Sequence, residues 1–540
     1  MTRAPLRPLI RASSLIALSV AALNTPAFAQ PKEPSTAQVD AWWGHVEAIA
    51  NDGNDGRFAG SPAFDRAGDY VVGQLKKLGV KPAGANGSYF QPVELVEQRF
   101  DQSASTAVLK RPSGDVVLSV PQDLYYRGSS PMPPSIDAPL VFAGYGLSIP
   151  EAGYDDFKDI DVKGKIVVVL SGGPSTISGA LKSDARSERG RLLAARGALG
   201  MIAISTPKQT EIKWERQVGI SSQPSMYLAE AAMRDVSVPF LSANLSSEKA
   251  VTLFDGSGHS FAELSALADA SKPVPVFDLP GRLAATVVAA SKPVHGKNIV
   301  AVLLGRDARL KSDYLVLSAH LDGYGIGAPI KGDTIYNGAF DNAIGVASLL
   351  EAAKSLSANK VKLKRSVLFA IVTAEEKGLL GSRYFASHPT VPAKSIIANI
   401  NLDMPLPIFK LTSITPIGYE ESTMGDDAKA VGAAMGLPVV PDPKPDRNVF
   451  IRSDQYSFIK QGIPALFLKY GFAVGTPEEK IEADWRANIY HSPQDDLNQP
   501  VMKAEGVKLT DYLIALTRRI ADAPDRPHWN ADSYFKRFAK

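Results

Sequence analysis

The feature that most constrains the fold is a short apolar run at residues 314–317, followed closely by His320 and Asp322. The run has the length and composition of a buried strand. His320 and Asp322 are therefore predicted just past its carboxyl end, which is the edge where open α/β sheets place ligand sites. Asp322 is expected to hold the His320 ring while the other ring nitrogen binds a metal. The alternative is a buried histidine that is satisfied by a nearby carboxylate.

The second half of the chain alternates between apolar runs of strand length and helical patterns. Strands are predicted at 298–304, 315–318, 367–372, 396–402 and 465–468, and helices at 342–357, 378–387 and 501–523. This alternation is typical of α/β proteins, in which a mostly parallel central sheet is flanked by helices on both faces. Two further helices are predicted nearer the amino terminus, at 35–51 and 64–78.

Residues 138–275 have a different pattern. Strands are predicted at 140–143, 164–170, 200–205 and 238–241, with a helix at 187–196. No acid or histidine in this block has the spacing of metal ligands. The block is therefore predicted to be a separate, β-rich module.

Acids and histidines recur at the ends of the predicted elements in the second half. They are Asp341, Glu375, Glu376, Asp403 and His491. Carboxylates placed side by side at a sheet edge repel each other and lose hydration, and a divalent cation compensates for both effects. Two histidines and three carboxylates suit a pair of zinc-class ions with one bridging carboxylate, which leaves one glutamate as a general base. The alternative is a set of helix caps and surface acids.

The composition excludes several kinds of chemistry. The chain contains no cysteine, which rules out cysteine catalysis, iron–sulfur clusters, zinc–thiolate sites and disulfides. Any metal must be held by His, Asp or Glu, and histidine is scarce, with seven in 540 residues. The 59 basic and 56 acidic side chains are nearly balanced, so charge does not indicate nucleic acid as a partner. The length indicates more than one domain.

Residues 1–29 are predicted to be a cleaved signal peptide. Arg3, Arg7 and Arg11 precede an apolar stretch at 14–23, and a small-x-small cleavage site ends at Ala29. Removal of this segment lowers Lys and Arg from 59 to 56, equal to the 56 Asp and Glu. The apolar stretch is too short to span a bilayer, so no stable membrane insertion is expected. We expect export to the periplasm or the medium, with an uncleaved membrane anchor as the alternative.

Five short motifs resemble the M28 family of dizinc aminopeptidases, in order along the chain. They are His320-x-Asp322, Asn337-Gly-Ala-Phe-Asp341-Asn342, Thr373-Ala-Glu-Glu376-x-Gly378, Asn401-Leu-Asp403 and Tyr490-His491-Ser-Pro. The resemblance also covers 57–78, 452–458 and 462–464. The block at 138–275 resembles the protease-associated (PA) domain that several members carry as an insertion. The resemblance implies a zinc-peptidase fold in which 30–137 and 276–540 form one discontinuous domain.

The resemblance also implies two Zn²⁺ ions, or similar divalent ions, and a role for each residue. The implied ligands are Glu376 and His491 for one ion, His320 and Asp403 for the other, and Asp341 as the bridge. Glu375 is the implied general base and Asp322 the orienter of His320. The implied reaction is hydrolysis of the N-terminal residue from a peptide by a metal-activated water, with Tyr456 or Tyr490 stabilising the oxyanion.

Three positions bear on how closely the chain follows this pattern. Glu375 and Glu376 are neighbours, so an irregular backbone is predicted after the strand at 367–372. Gln455 stands where family members often have histidine, and Met404-Pro405 is a less usual continuation after the metal-binding aspartate. Both departures lie near the expected substrate pocket, so they concern specificity more than metal binding.

Four other functions are alternatives to aminopeptidase action. A carboxypeptidase or dipeptidase of the same fold needs a cation for the substrate carboxylate, for which Arg452 and Lys469 are candidates; an acid-rich rim favours an α-amine instead. A single-zinc glutaminyl cyclase does not need the full ligand set. A metal-free peptide-binding protein does not need the retained Glu375. A serine hydrolase is set aside because the chain has no Gly-x-Ser-x-Gly motif. The expected partners are peptides, and the oligomeric state is not predicted.

Overall fold

The computed structural model describes residues 1–2, 33–128, 130–210, 212–358 and 361–539. All but the first two residues of the predicted signal peptide, including its cleavage site, lie outside these residues. The helices are α1 (Thr36–Ala50), α2 (Pro62–Lys77), α3 (Gly179–Ala195), α4 (Trp214–Ser221), α5 (Ser247–Phe254), α6 (Phe261–Asp269), α7 (Ile344–Ser357), α8 (Leu380–Ser387), α9 (Met424–Met435), α10 (Gln455–Ile459), α11 (Pro477–Asn488) and α12 (Lys503–Asp522). Within the described ranges, no helix is both long enough and apolar enough to cross a membrane.

The strands form two large sheets and two short hairpins. They are β1 (Lys81–Pro82), β2 (Phe90–Phe100), β3 (Thr106–Lys110), β4 (Val116–Leu118), β5 (Leu124–Tyr126), β6 (Ser135–Phe142), β7 (Ser148–Ile149), β8 (Tyr154–Asp155), β9 (Ile166–Leu170), β10 (Gly200–Ile204), β11 (Ser225–Leu228), β12 (Leu241–Leu245), β13 (Phe277–Thr286), β14 (Ala289–Leu303), β15 (Tyr314–His320), β16 (Gly325–Ile330), β17 (Asp333–Tyr336), β18 (Ser366–Val372), β19 (Ile396–Asn401), β20 (Ile414–Ile417) and β21 (Ala465–Tyr470).

The main sheet has the strand order β11-β2-β14-β18-β15-β19-β21-β20. The short strand β1 pairs with β14 near its carboxyl end, at Ala301 and Val302. The four central strands, β18, β15, β19 and β21, are parallel. They are almost entirely buried, as expected for strands covered on both faces. The flanking strands pair antiparallel, and the first half of β14 is exposed, because antiparallel strands tolerate a solvated face. The predicted α/β fold class is confirmed, with parallel pairing confined to the centre of the sheet.

Helices cover both faces of the main sheet. The largest core lies on one face, where α1, α2, α7, α9 and α12 pack, and α8 and α10 cover the other through Phe385 and Phe458. A capping box of Ser35 and Gln38 begins α1. The indole N–H of Trp42 in α1 donates to the hydroxyl of Ser348 in α7 (3.0 Å). The amino-terminal helices are therefore part of the layer that supports the sheet.

The second sheet has the order β4-β3-β13-β6-β9-β10-β12-β5 and its own apolar core. Strand pairing crosses both predicted limits of the block at 138–275. β3, β4 and β5 precede the block and β13 follows it, yet all four belong to the second sheet. β11 lies inside the block but pairs with β2 of the main sheet. The division of the chain into a peptidase domain and a PA-like insertion remains a prediction.

Strand β12 of the second sheet and the helix α3 begin at residues other than those predicted. β12 begins at Leu241, the last residue of the predicted strand at 238–241, because Pro239 has no N–H group for a strand ladder. α3 begins at Gly179, upstream of the predicted start at 187, because the Ser178 hydroxyl accepts the N–H of Leu181 and caps the helix there.

The carboxyl ends of the central strands lie side by side. His320 is in register with Val372, and Ser318 is in register with Asn401. The residues that follow β15, β18 and β19 therefore emerge at one edge of the sheet, where ligand sites form in α/β proteins.

Candidate active site

His320 is the last residue of β15 and is fully buried. Its Nδ1 lies 3.1 Å from the main-chain carbonyl oxygen of Asp322 and 3.8 Å from the Asp322 carboxylate. That carboxylate accepts hydrogen bonds from the main-chain N–H groups of Glu375 (3.0 Å) and Glu376 (3.3 Å). Asp322 therefore contacts the histidine ring chiefly through its carbonyl group and holds the neighbouring loop through its carboxylate.

Asp341 lies between the two predicted metal-binding histidines. One of its carboxylate oxygens is 3.1 Å from Nε2 of His320, and the other is 3.3 Å from Nε2 of His491. Asp341 belongs to an irregular turn, Ala339–Ala343, and the helix begins only at Ile344 rather than at the predicted residue 342. The turn, and not a helix-capping position, orients this carboxylate.

Two buried charged side chains hold this turn, and sequence reasoning did not assign them to the site. Asp495 accepts hydrogen bonds from the main-chain N–H groups of Phe340 (2.8 Å) and Asp341 (2.9 Å). Arg57 donates to the carbonyl oxygens of Leu321 (2.7 Å) and Gly338 (3.0 Å). Arg57 lies in a segment that carries the family resemblance, and Asp495 lies two residues after the Tyr490-His491-Ser-Pro motif, which is the available sequence signal. Their partners are distant in sequence, so the pattern does not show what they contact.

The backbone after β18 is irregular, as predicted for the neighbouring glutamates. Ala374 has a φ of +54° and Leu379 a φ of +60°, a region that residues other than glycine seldom adopt. Oε2 of Glu375 lies 3.9 Å from Nε2 of His320, whereas Oε2 of Glu376 lies 3.4 Å from Nε2 of His491. The two carboxylates therefore approach different histidines.

Asp403 follows β19 and is fixed through both its side chain and its main chain. Its Oδ1 lies 3.5 Å from Nε2 of His320, and its Oδ2 accepts a hydrogen bond from the Ser453 hydroxyl (2.6 Å). Lys469 in β21 donates to the carbonyl oxygens of Asp403 and Met404. These contacts leave Oδ1 directed toward the histidine.

Two groups of side chains converge closely enough to hold metal ions. His320, Asp341 and Asp403 form the first group, and Asp341, Glu376 and His491 form the second. The ligand atoms within each group lie within 4.8 Å of one another, and Asp341 belongs to both. Nε2 of His320 and Oδ1 of Asp403 are buried without a hydrogen-bond partner among the described residues. Nitrogen and oxygen donors of this kind suit divalent ions of the zinc class, so the residues present fit two metals.

The electrostatics of the cluster also indicate cation binding. Burial raises the pKa of Glu375 and of Glu376 well above the usual value, and neighbouring acids raise both further. Burial opposes ionisation of Asp341 too, but the adjacent rings of His320 and His491 outweigh it and lower the pKa of Asp341. A cluster of this kind retains protons to limit the repulsion between its carboxylates, and divalent cations held at the same place remove that need.

The cluster forms the floor of a cleft of about 340 Å³. Arg452, Lys469, Arg486 and Tyr490 are in the wall of this cleft. Tyr490 is thus placed to reach a substrate, whereas the hydroxyl of Tyr456 donates to Asp184 of α3.

Of the two departures from the family pattern, Gln455 lies outside the cleft lining and Met404 lies in it. Gln455 is fully buried, accepts a hydrogen bond from the Asn401 side chain (2.8 Å) and donates to the carbonyl oxygen of Phe450 (2.9 Å). It supports the loop behind Asp403. Met404 has a φ of +46° and lines the cleft, so it is the departure that contacts the substrate space.

A parallel sheet edge that gathers two ligand groups and one additional glutamate is the arrangement of a metal-dependent hydrolase. Residues 298–517 match the family model for peptidase family M28. This segment contains the central strands and all the predicted site residues. The predicted resemblance is therefore confirmed, while the roles of individual residues remain predictions.

Curated relatives and a solved structure extend this comparison. The chain is 26% identical over 497 residues to the probable lipoprotein aminopeptidase LpqL of Mycobacterium tuberculosis, covering 87% of this chain and 82% of that protein. It is 26% identical over 246 residues to leupeptin-inactivating enzyme 1 of Streptomyces exfoliatus, covering 45% and 51% of the two chains. The aminopeptidase from Aneurinibacillus sp. strain AM-1 has the same fold, with a TM-score of 0.54 and 20% identity over 91% of this chain and 98% of that chain.

Proposed function

We propose that this protein is an exported, zinc-dependent aminopeptidase that removes N-terminal residues from peptides. The observation that carries the proposal is the pair of ligand groups that share Asp341, with Glu375 beside His320 and outside both groups. The family match and the relative named as an aminopeptidase support the same enzyme class.

The proposed metal ligands divide between two ions. His320 and Asp403 would hold one ion, Glu376 and His491 would hold the other, and Asp341, which belongs to both groups, would contribute to both. When bound, two such ions supply a Lewis acid for the scissile carbonyl and lower the pKa of a coordinated water. Asp322 keeps the ligands in place because it contacts His320 and the loop that carries both glutamates.

Glu375 is the proposed general base. It takes a proton from the attacking water and later gives it to the leaving amine, which requires a carboxylate beside the reacting atoms but not consumed in metal binding. Tyr490 lines the same cleft, and burial raises its pKa well above the usual value. It therefore stays protonated and can donate a hydrogen bond to the carbonyl oxygen as negative charge develops there.

Export is supported by the predicted signal peptide at 1–29 and by the relative that is named as a lipoprotein. The proposed location is the periplasm or the medium.

The test uses the zinc-loaded full-length protein with Leu-p-nitroanilide and its N-acetyl form. An aminopeptidase hydrolyses the free-amine compound and not the acetylated one. Hydrolysis of both compounds, or of neither, would contradict the proposal.

A carboxypeptidase of the same fold is the second candidate, and the cations Arg452, Lys469 and Arg486 in the cleft wall favour it. Such an enzyme hydrolyses N-acetyl-Leu-Gly and leaves Leu-p-nitroanilide intact, because it recognises the free C-terminal carboxylate of its substrate and not the α-amine. N-acetyl-Leu-Gly, assayed beside the two p-nitroanilides, therefore separates the two candidates.

A further inference from the structure

The cleft carries charge of both signs. Asp341, Glu375, Glu376 and Asp403 contribute acid to it, while Arg452, Lys469 and Arg486, here called the basic wall, line the same space. A ligand that satisfies both regions has a cationic end near the acids and an anionic end near the basic wall. A peptide with both termini free has these two ends.

We propose that the basic wall binds the C-terminal carboxylate of short peptides, so that the preferred substrates are di- and tripeptides with both termini free. This inference rests on the proposed aminopeptidase function. The volume of the cleft, about 340 Å³, is near the small end of the range of small-molecule sites, roughly 300–1,000 Å³. A short peptide spans such a space, and a long one extends beyond it.

Arg452 is the member of the basic wall best placed to receive the carboxylate. Lys469 and Arg486 are half-buried, and Lys469 donates to the main-chain carbonyls of Asp403 and Met404. Arg452 is exposed and follows directly on the 3₁₀ turn Val449–Ile451. Its guanidinium group can bind a carboxylate through two parallel hydrogen bonds.

Helix α3, which carries Arg186, brings a second cation close to Arg452. The helix lies against the segment that contains Arg452: Asn448 donates to the Gly179 carbonyl, and the Ser187 and Tyr456 hydroxyls are 3.1 Å apart. Arg186 precedes Ser187 on this helix. Burial lowers the pKa of Arg186, and the charge of Arg452 lowers it further. Two arginines held near each other form a site that a bound anion stabilises.

The first test compares kcat/KM for Leu-Gly-Gly, Leu-Gly-Gly-amide and Leu-Asp-Gly-amide. We expect the free acid to exceed both amides by about tenfold or more, the order expected for a charge-assisted hydrogen bond. Arg452→Gln should bring the ratio of acid to amide close to one. Arg191→Gln is the matched control, because Arg191 lies on α3 like Arg186 but pairs with Glu188 of the same helix. It should keep the wild-type ratio.

The second test measures binding without turnover. Calorimetric titration of Glu375→Gln protein should show tighter binding of Leu-Gly-Gly than of Leu-Gly-Gly-amide, and Arg452→Gln added to this variant should abolish the difference. Equal cleavage and equal binding of acid and amide would overturn the inference and leave the aminopeptidase proposal intact. Preference for Leu-Asp-Gly-amide would overturn it in favour of an acidic side chain as the ligand. Preferential binding of the acid without cleavage of any peptide would support the carboxylate site and contradict the proposed function.

Discussion

At the scale of single residues, Glu375 and Glu376 show how one turn can direct neighbouring side chains toward different histidines. The left-handed residue Ala374 reorients the chain after β18, and the N–H groups of both glutamates are held by Asp322. Glu376 reaches His491 and the second ligand group, while Glu375 approaches His320 and belongs to neither group. The two residues should therefore respond differently to the same substitution.

Glu375→Gln is predicted to keep both metals and to lose most turnover. The amide has nearly the same shape but cannot accept the proton, and a general base contributes on the order of a hundredfold to ten-thousandfold. Glu376→Gln should instead weaken metal binding, because a charged ligand is lost. Elemental analysis and kcat measured on both variants check the assignment. Metal loss that follows Glu375 rather than Glu376 would show that the roles are reversed.

Asp495→Asn is predicted to weaken metal affinity about tenfold to a hundredfold, the usual effect of losing a group that positions a ligand. Its carboxylate holds the turn that orients Asp341, and burial raises its pKa to about 7. Competition with a chelator measures the change. Asp496→Asn is the control, because that carboxylate caps only the nearby Asn498. Equal affinities in the wild type and Asp495→Asn would remove Asp495 from the site.

At the scale of elements, α3 joins the second sheet to the loops around the site. Asp184 of this helix accepts hydrogen bonds from the hydroxyls of Tyr456 and Tyr534 and from Lys460 (3.2 Å). Burial raises the pKa of Asp184, but these partners outweigh burial, and the net effect is a lowered pKa. A carboxyl with a lowered pKa stabilises the folded state above its unfolded pKa of about 3.9, and this contribution is lost as the pH falls through the folded value.

Asp184→Asn is predicted to reduce the free energy of unfolding by about 1–3 kcal/mol at neutral pH. The difference from the wild type should shrink as the pH falls below about 4, because the wild-type carboxyl then becomes neutral as well. Urea unfolding midpoints between pH 3 and pH 7 measure this. Asp159→Asn is the control, because its ion pair with Lys158 is highly exposed. A difference that stays constant down to pH 3 would contradict the assigned role of charge.

At the scale of elements, the strands were predictable from the sequence, but some of their pairings were not. β15, β18 and β19 are mostly apolar, and a histidine or acids lie at or just after their carboxyl ends, so both the strands and the candidate site residues could be predicted. The pairing of β11 with β2 could not, because only tertiary contact selects that partner. Arg57 was likewise missed, since its contact with Leu321 crosses 264 residues of sequence. Local patterns contain little information about such distant pairings.

At the scale of the whole molecule, the metals should contribute to stability as well as to chemistry. The proposed ligands come from the end of β15, the turn before α7, the segments after β18 and β19, and the loop that contains His491, so they converge only in the folded chain. An ion that binds only the native state stabilises it by mass action, by about 4 kcal/mol when free metal exceeds Kd a thousandfold.

Removal of metal with a chelator is therefore predicted to lower Tm, and added zinc should restore it. Differential scanning calorimetry measures both steps. Glu376→Gln should show a smaller shift, because its metal affinity is already weakened. A Tm that is unaffected by chelation would contradict a metal site of this kind.

The central claim is that one chain holds two ions around a shared Asp341. Elemental analysis of the full-length protein, loaded with zinc and dialysed against metal-free buffer, tests it most directly. The predicted result is close to two zinc ions per chain. One ion per chain, or none, would contradict the claim.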